Sequence, residues 1–237
     1  MKIIADMHTH TVASGHAYST VNELAAEAAR KGLLALAITD HGPRLPGGPH
    51  LYHFGAMRFI PEQIDGVRIL RGVEANIIDS GGSLDMPEPY LRKLDFVMAG
   101  LHEGCGFDSD DRDVCTAALI GAMENPLVNA ISHPGNPLFP LNYEAIVNAA
   151  KRTGTALELN NSSFSISRKG SRPNCTELAR LIARTGAPMI IGSDAHIAQM
   201  VGIFDDAVAE VVAAGIPARQ VVNTSLAELF RFLGLEK

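Results

Sequence analysis

The chain has 237 residues, 46 % of them hydrophobic, with a mean hydropathy of +0.10; this is material for one large core and excludes a disordered chain. A net charge of −6, a pI near 5.8 and the lack of any Lys/Arg block exclude a basic footprint for long nucleic acid. No apolar run reaches the ~18 residues that span a membrane, Ile3-Ile4-Ala5 is too short for a secretory segment, and Cys105, Cys115 and Cys175, odd in number and without C-x-x-C spacing, read as free thiols of a reducing cytoplasm.

The apolar run Ile3-Ile4-Ala5 is the first expected strand, and Asp6-Met7-His8-Thr9-His10 follows it directly. In an extended chain alternate residues share a face, so His8 and His10 project together. Thr20-Val21-Asn22-Glu23 is a capping-box pattern that opens a helix whose apolar face carries Leu24, Ala25, Ala28 and Ala29, and Gly32 ends it. Leu33 to Ile38 is continuously apolar, as a parallel strand buried on both faces should be, and it runs into Thr39-Asp40-His41. The Pro- and Gly-rich segment from Gly42 to Ile60 reads as a long functional loop with one helical turn, near the mouth of a site, with His50 and His53 in it.

Val67 to Val73 is the third strand and delivers Glu74; the Ser80-Gly81-Gly82-Ser83 turn then implies a small hairpin between Asn76 and Met86, before a short helix from Pro87 to Lys93. Phe96 to Gly100 delivers His102. A helix over Asp113 to Glu124 leads to the strand Leu127 to Ile131, which delivers His133 ahead of Pro134-Gly135. The helix Tyr143 to Thr153 is followed by the strand Thr155 to Leu159 and by Asn160-Asn161. The helix Thr176 to Thr185 is followed by the strand Met189 to Gly192, which delivers Asp194 and His196. Helices over Asp205 to Ala214 and Leu226 to Leu233 close the chain, the second with its own capping box, Ser225 with Glu228.

Seven strands alternating with helices imply an α/β fold, a distorted seven-stranded (βα)7 barrel like a TIM barrel, in one domain over 1–237. An open doubly wound sheet is less favoured: chemistry-bearing residues follow six of the seven expected strands, and no glycine-rich nucleotide loop is present. In a barrel these residues converge at the C-terminal face of the strands. The set is His8, His10, His16, His41, Glu74, His102, His133, Asp194 and His196, which takes seven of the nine histidines. Nine ligands suit two or three ions, and imidazoles with only two carboxylates favour zinc, or manganese and iron, over calcium or magnesium. Such a concave site is strongly positive, so its partner must be an anion, and a phosphate ester fits.

These motifs resemble the PHP domain, named for polymerase and histidinol phosphatase. The resemblance rests on Asp6-Met7-His8-Thr9-His10, Ile38-Thr39-Asp40-His41, Ile131-Ser132-His133-Pro134 and Gly192-Ser193-Asp194-Ala195-His196. With His16-Ala17-Tyr18-Ser19, Arg71-Gly72-Val73-Glu74-Ala75-Asn76 and Asn160-Asn161-Ser162-Ser163-Phe164, the chain is similar over its whole length to the stand-alone probable phosphatases of the YcdX type. The resemblance implies a trinuclear site and a homotrimer. One ion would take His8, His10, Glu74 and Asp194; a second Glu74, His102 and His133; a third His16, His41 and His196. Glu74 would bridge the first two, and a hydroxide between them would attack the phosphorus of a small phosphomonoester. Beyond the ligands, Asp40 is placed to orient an imidazole, and Arg168 and Lys169 are candidates to clamp phosphate.

Three other functions compete with this one. A phosphodiesterase or exonuclease acting on nucleotide ends would use the same metals. A metal-dependent amidohydrolase also begins with H-x-H, but its fourth strand would supply a lysine where this chain leads to His102. A non-catalytic metal-binding scaffold would bind ions without turnover.

Overall fold

The computed structural model describes residues 1–235. Eight strands form one sheet: β1 (Ala5–Asp6), β2 (Ala35–Ile38), β3 (Gln63–Ile64), β4 (Val67–Asn76), β5 (Phe96–Gly100), β6 (Ala130–Ile131), β7 (Ala156–Asn160) and β8 (Met189–Gly192). Seven are parallel, in the order β1-β2-β4-β5-β6-β7-β8, and β3 pairs antiparallel with the start of β4. Helices α1 (Val21–Arg30), α2 (Leu51–Ala56), α3 (Glu88–Leu91), α4 (Arg112–Met123), α5 (Tyr143–Thr153), α6 (Ser171–Thr185), α7 (Asp205–Ala213) and α8 (Leu226–Leu233) complete the expected α/β barrel.

The strands are buried on both faces, and the two-residue period sorts them cleanly. Leu36, Ile38, Ile69, Val73, Val97, Ile131, Leu157 and Ile191 face the surrounding helices. Ala5, Ala35, Ala37, Leu70, Phe96, Met98, Ala130, Ala156 and Ile190 fill the lumen. Eight strands leave a lumen just wide enough for side chains, so seven leave less, and five of these lumen residues are alanines. Helix α8 closes the N-terminal end: Leu229 is fully buried in the lumen cluster, with Leu226, Phe230 and Leu233 packed against it.

The barrel is nearly closed. Between β8 and β1 the backbones meet only near their C-terminal ends, through the Thr9–Ala195 bridge, His10 N–H donating to Ala195 O at 2.8 Å and Asp194 N–H donating to His8 O at 2.9 Å. Lower down, side chains fill the seam. Asn223 Nδ2 donates to Ala5 O and Ile191 O at 2.8 Å each, and its Oδ1 accepts from Ile191 N–H. Asp6 accepts from Ser193 N–H and Gly202 N–H, and its burial raises its pKa against those bonds.

Several local expectations change. The third expected strand continues from Val73 to Asn76, so Glu74 lies inside β4. Strand β3 was not expected, although Asp65-Gly66 carries its signal: both residues have positive φ, 52° and 80°, as a tight hairpin turn requires. The Gly42 to Ile60 segment is less irregular than expected, since it contains α2 and a 3-10 turn over Met57–Phe59. Helix α6 starts at Ser171 rather than Thr176. The box at Thr20 forms in both directions, whereas Ser225 makes no capping bond and Glu228 pairs instead with Arg231. The hairpin after Asn76 forms as expected, with Ile77 bridged to Leu84.

Candidate metal centre

Every ligand candidate but His16 sits at the C-terminal end of a strand or just beyond it, where inward side chains change from apolar to polar; His16 follows the 3-10 turn Val12–Ser14 in the loop after β1. Along β4, Leu70 faces the lumen and Glu74, two inward positions further on, is buried at its top. Glycines make the room. A Cβ at Gly192 would collide with Glu158 Oε1 and His8 Cβ, and one at Gly100 with Ser132 Oγ and the His102 ring.

His8 Nδ1 lies 2.8 Å from Glu158 Oε1. The same carboxylate accepts from the His133 backbone N–H and Asn160 Nδ2, so His8 Nδ1 donates to it and Nε2 is the atom left to face the cluster. That Nε2 is 3.0 Å from His10 Nε2, 3.2 Å from Glu74 Oε2 and 3.5 Å from Asp194 Oδ1. His10 is fixed in the same sense: its Nδ1 donates to Ser14 Oγ at 3.2 Å, and Ser14 Oγ donates to Asp40 Oδ1 at 2.7 Å. Two imidazole nitrogens and two carboxylate oxygens therefore converge on one point. A metal ion on that point would be met by two imidazole nitrogens and two carboxylate oxygens at once, so this donor set fits one.

A second cluster is built on the other oxygen of the same carboxylate. Glu74 Oε1 is 2.8 Å from His133 Nε2 and 3.1 Å from His102 Nε2, and those nitrogens are 3.2 Å apart. In a third cluster His10, His41 and His196 bring ligand atoms within 4.8 Å of one another. The His16 ring lies 5.2 Å from that of His41 and 4.8 Å from that of His196. His16 Nδ1 donates to Ser14 O and His196 Nδ1 to Asp194 O, which turns both Nε2 atoms into acceptors. His41 Nδ1, 3.1 Å from Glu74 Oε2, and His102 Nδ1 are buried without a hydrogen-bond partner. All nine residues named from the sequence thus gather at one face. His41 stands between clusters, since it also groups with Glu74 and His102.

The electrostatics suit ionised carboxylates among neutral imidazoles. Burial would raise the Glu74 pKa, but His8, His41 and His102 hold it well below the usual range. Asp194 is likewise held well down, by Arg168 and His8 against its burial. Burial lowers His10, pushes His41 well down and brings His133 to about 4. His8 is the exception: burial would lower it, yet Glu158, Glu74 and Asp194 together hold it well above the ordinary imidazole value.

Arg168 reaches the centre, with Nη2 2.6 Å from Asp194 Oδ2 and Nη1 3.4 Å from Ser163 Oγ. This engages one oxygen of Asp194 and leaves Oδ1 to the histidines. Lys169 is exposed and, among the described residues, makes no hydrogen bond or ion pair. Asp40 is completely buried and accepts from Thr11 N–H, Thr11 Oγ1, Ser14 Oγ and His53 Nε2; it bears on His10 through Ser14. His53 therefore lies on α2 against Asp40, whereas His50 is exposed and caps α2. The backbone is strained here. Of the four non-glycine residues with positive φ among the described residues, three are His133 at 31°, Arg168 at 50° and Asp194 at 58°.

Sequence reasoning passed over Glu158 and Ser14, and quoted Asn160 as part of a family motif without giving it a role. Glu158 did leave a signal: in Ala156-Leu157-Glu158-Leu159-Asn160 the two-residue period puts the carboxylate inward with Ala156, where a charge needs partners. Ser14 left none, because only the folded turn after His10 brings it to Asp40.

The sequence profile of the PHP domain matches residues 6–169, and that of a PHP-associated region matches 174–214. The chain belongs to the PHP domain family. Among PHP relatives, a protein of Syntrophotalea carbinolica named "Probable phosphatase" is 51 % identical over 235 residues, covering 99 % of this chain and 98 % of the relative. A "Probable phosphatase" of Acetivibrio thermocellus is 51 % identical over 237 residues, covering 100 % and 98 %. Among solved structures, the PHP barrel is similar to histidinol phosphate phosphatase from Lactococcus lactis, crystallised with zinc, L-histidinol and phosphate. The TM-score is 0.61 at 16 % identity, covering 90 % of this chain and 94 % of that one.

Proposed function

We propose that this PHP protein is a metal-dependent phosphatase that hydrolyses a small phosphomonoester. The observation that carries the reading is the convergence of His8 Nε2, His10 Nε2, Glu74 Oε2 and Asp194 Oδ1 on one point, a donor set that suits a bound cation. His8, His10, Glu74 and Asp194 would hold one ion, Glu74, His102 and His133 a second, and His16, His41 and His196 a third. Zinc is the first choice for so many imidazoles, and the names of the relatives and the zinc and phosphate of the L. lactis protein point the same way. When bound, such ions polarise phosphoryl oxygens and acidify water enough to serve as the nucleophile at neutral pH.

The protein's own groups set the rest. Glu74 offers one oxygen to each of two clusters and lowers the repulsion between adjacent cations. Arg168, already at the mouth, can take a phosphoryl oxygen with a guanidinium nitrogen. The cleft above the centre measures about 530 Å³ and is walled by Leu45, Pro46, Leu101, Leu138 and Phe139, with Glu103 as an added carboxylate. Among its lining residues Arg168 is the only Arg or Lys. This favours one phosphate on a compact, partly apolar body over a polyphosphate or an oligonucleotide. The same reading extends to one domain over residues 1–237 and, by family resemblance, to a homotrimer. The three cysteines are free and buried, which suits a reducing cytoplasm.

The test is phosphate release from p-nitrophenyl phosphate and a panel of monophosphates, with zinc-loaded and chelated protein side by side, and bis-p-nitrophenyl phosphate as the diester. Turnover of monoesters that requires zinc supports the reading. Diester cleavage alone moves the assignment to a phosphodiesterase, and no turnover with zinc bound supports a scaffold.

A further inference from the structure

Glu158 lies beneath two of the clusters and belongs to neither. Its side chain is fully enclosed in β7, at 0 % exposure. Oε1 accepts from His8 Nδ1–H at 2.8 Å, and Oε2 accepts from the backbone N–H of His133 at 2.8 Å and from Asn160 Nδ2 at 3.2 Å. Three donors thus point at one carboxylate, which has acceptor sites for all of them. One oxygen fixes the tautomer of a ligand in the first cluster. The other holds the main chain of a ligand in the second, at a residue whose φ of 31° is unfavourable for a side-chain-bearing residue. Glu74 meets the ligand nitrogens Nε2 of the same two histidines, whereas Glu158 holds the opposite side of each, His8 at Nδ1–H and His133 at its backbone N–H.

We infer that Glu158 is a positioning residue that couples two metal positions, the one holding His8 and the one holding His133, so that they gain and lose their ions together. The inference rests on the metal-centre reading above. It follows from donor counting. A glutamine at this place would present one acceptor oxygen and one NH2 group. Every group facing it is a donor, so the NH2 would oppose either His8 Nδ1–H or His133 N–H. If His8 moved its proton to Nε2, the lone pair aimed at the first cluster would vanish. If the His133 N–H lost its acceptor, the strained backbone would relax and carry the Nε2 away from Glu74. Either failure reaches its neighbour through Glu74, whose two oxygens serve the two clusters. The third position draws on His16, His41 and His196, none of which is hydrogen-bonded to Glu158.

The experiment is zinc titration of wild type and Glu158→Gln against a chromogenic chelator, with zinc per chain counted by elemental analysis after gel filtration. The expected result is that Glu158→Gln loses two ions together, each weakened by about 10- to 100-fold, while any remaining ion keeps its wild-type affinity. Loss of a single ion, equal weakening of every position or unchanged affinities would overturn the coupling. Should Glu158→Gln fail to fold, the wild type decides by 15N NMR of its histidine rings. His8 must be protonated at Nδ1 and bound to zinc through Nε2, and a His8 bound through Nδ1 overturns the assignment. A wild type that binds no zinc at all overturns the metal reading itself, which is a separate outcome.

Discussion

The two ends of this barrel are built from the same strands on opposite principles. At the N-terminal end Ala5, Ala35, Phe96, Ala130 and Ile190 pack a dry lumen sealed by Leu229 of α8. At the C-terminal end the same strands deliver buried histidines and carboxylates, three residues with positive φ and two ring nitrogens without hydrogen-bond partners. The lower half satisfies itself without any ligand. The upper half instead crowds imidazoles and carboxylates into groups that could hold metal ions. Stability and function are therefore separable along one strand: residues two or four positions apart on the same face serve different ends, as Leu70 and Glu74 do in β4.

The largest expected effect breaks the upper end alone. Glu74→Gln removes the charge shared by two clusters and should lower phosphomonoesterase turnover by at least about a thousandfold, with far-UV circular dichroism unchanged. A variant that kept its activity would remove Glu74 from the centre. Next comes the lower end. Leu229→Ala should cost about 3 kcal/mol in urea unfolding of the metal-free protein, while zinc bound per folded chain stays the same. If zinc affinity fell with stability, the two ends would not be independent.

A smaller effect sharpens the boundary between the ends. Asp40→Asn takes away a carboxylate that accepts from four donors and holds Ser14 toward His10. Zinc affinity at the position containing His10 should fall by about 10- to 100-fold, seen in chelator competition. An unchanged affinity would confine Asp40 to holding the loop after β1.

The smallest effect is a pH dependence. Because its pKa is raised, His8 of the metal-free protein holds a proton that zinc must displace. Apparent zinc affinity should therefore fall about tenfold per unit as pH is lowered below that raised value, and level off above it. Calorimetry in buffers of different ionisation enthalpy should register the released proton. In the metal-free fold the same shift stabilises below the ordinary imidazole value and is lost as pH rises through the raised one. Glu74 and Asp194 behave oppositely: their stabilisation is present above ordinary carboxylate values and is lost as pH falls through their depressed ones.

The alternation of apolar runs with helical faces, and the habit of ending six of the seven runs in His, Asp or Glu, were sufficient to expect a (βα)7 barrel and the nine residues that meet at its top. Both are local patterns: strand burial and the direction of the chain are written in neighbouring residues. The Asp65-Gly66 turn was equally readable and simply overlooked. What only the tertiary structure decided are the contacts between strands. Glu158 and His8 are 150 positions apart, Asp40 and Ser14 meet through a turn, Arg168 reaches Asp194 from a loop with strained φ, and Asn223 fills the seam between β8 and β1. A ligand's residue type follows from the chemistry of the ion it suits and can be recognised one residue at a time. The residue that fixes its proton depends on which side chain lies within about 3 Å, and that distance exists only after the barrel has closed.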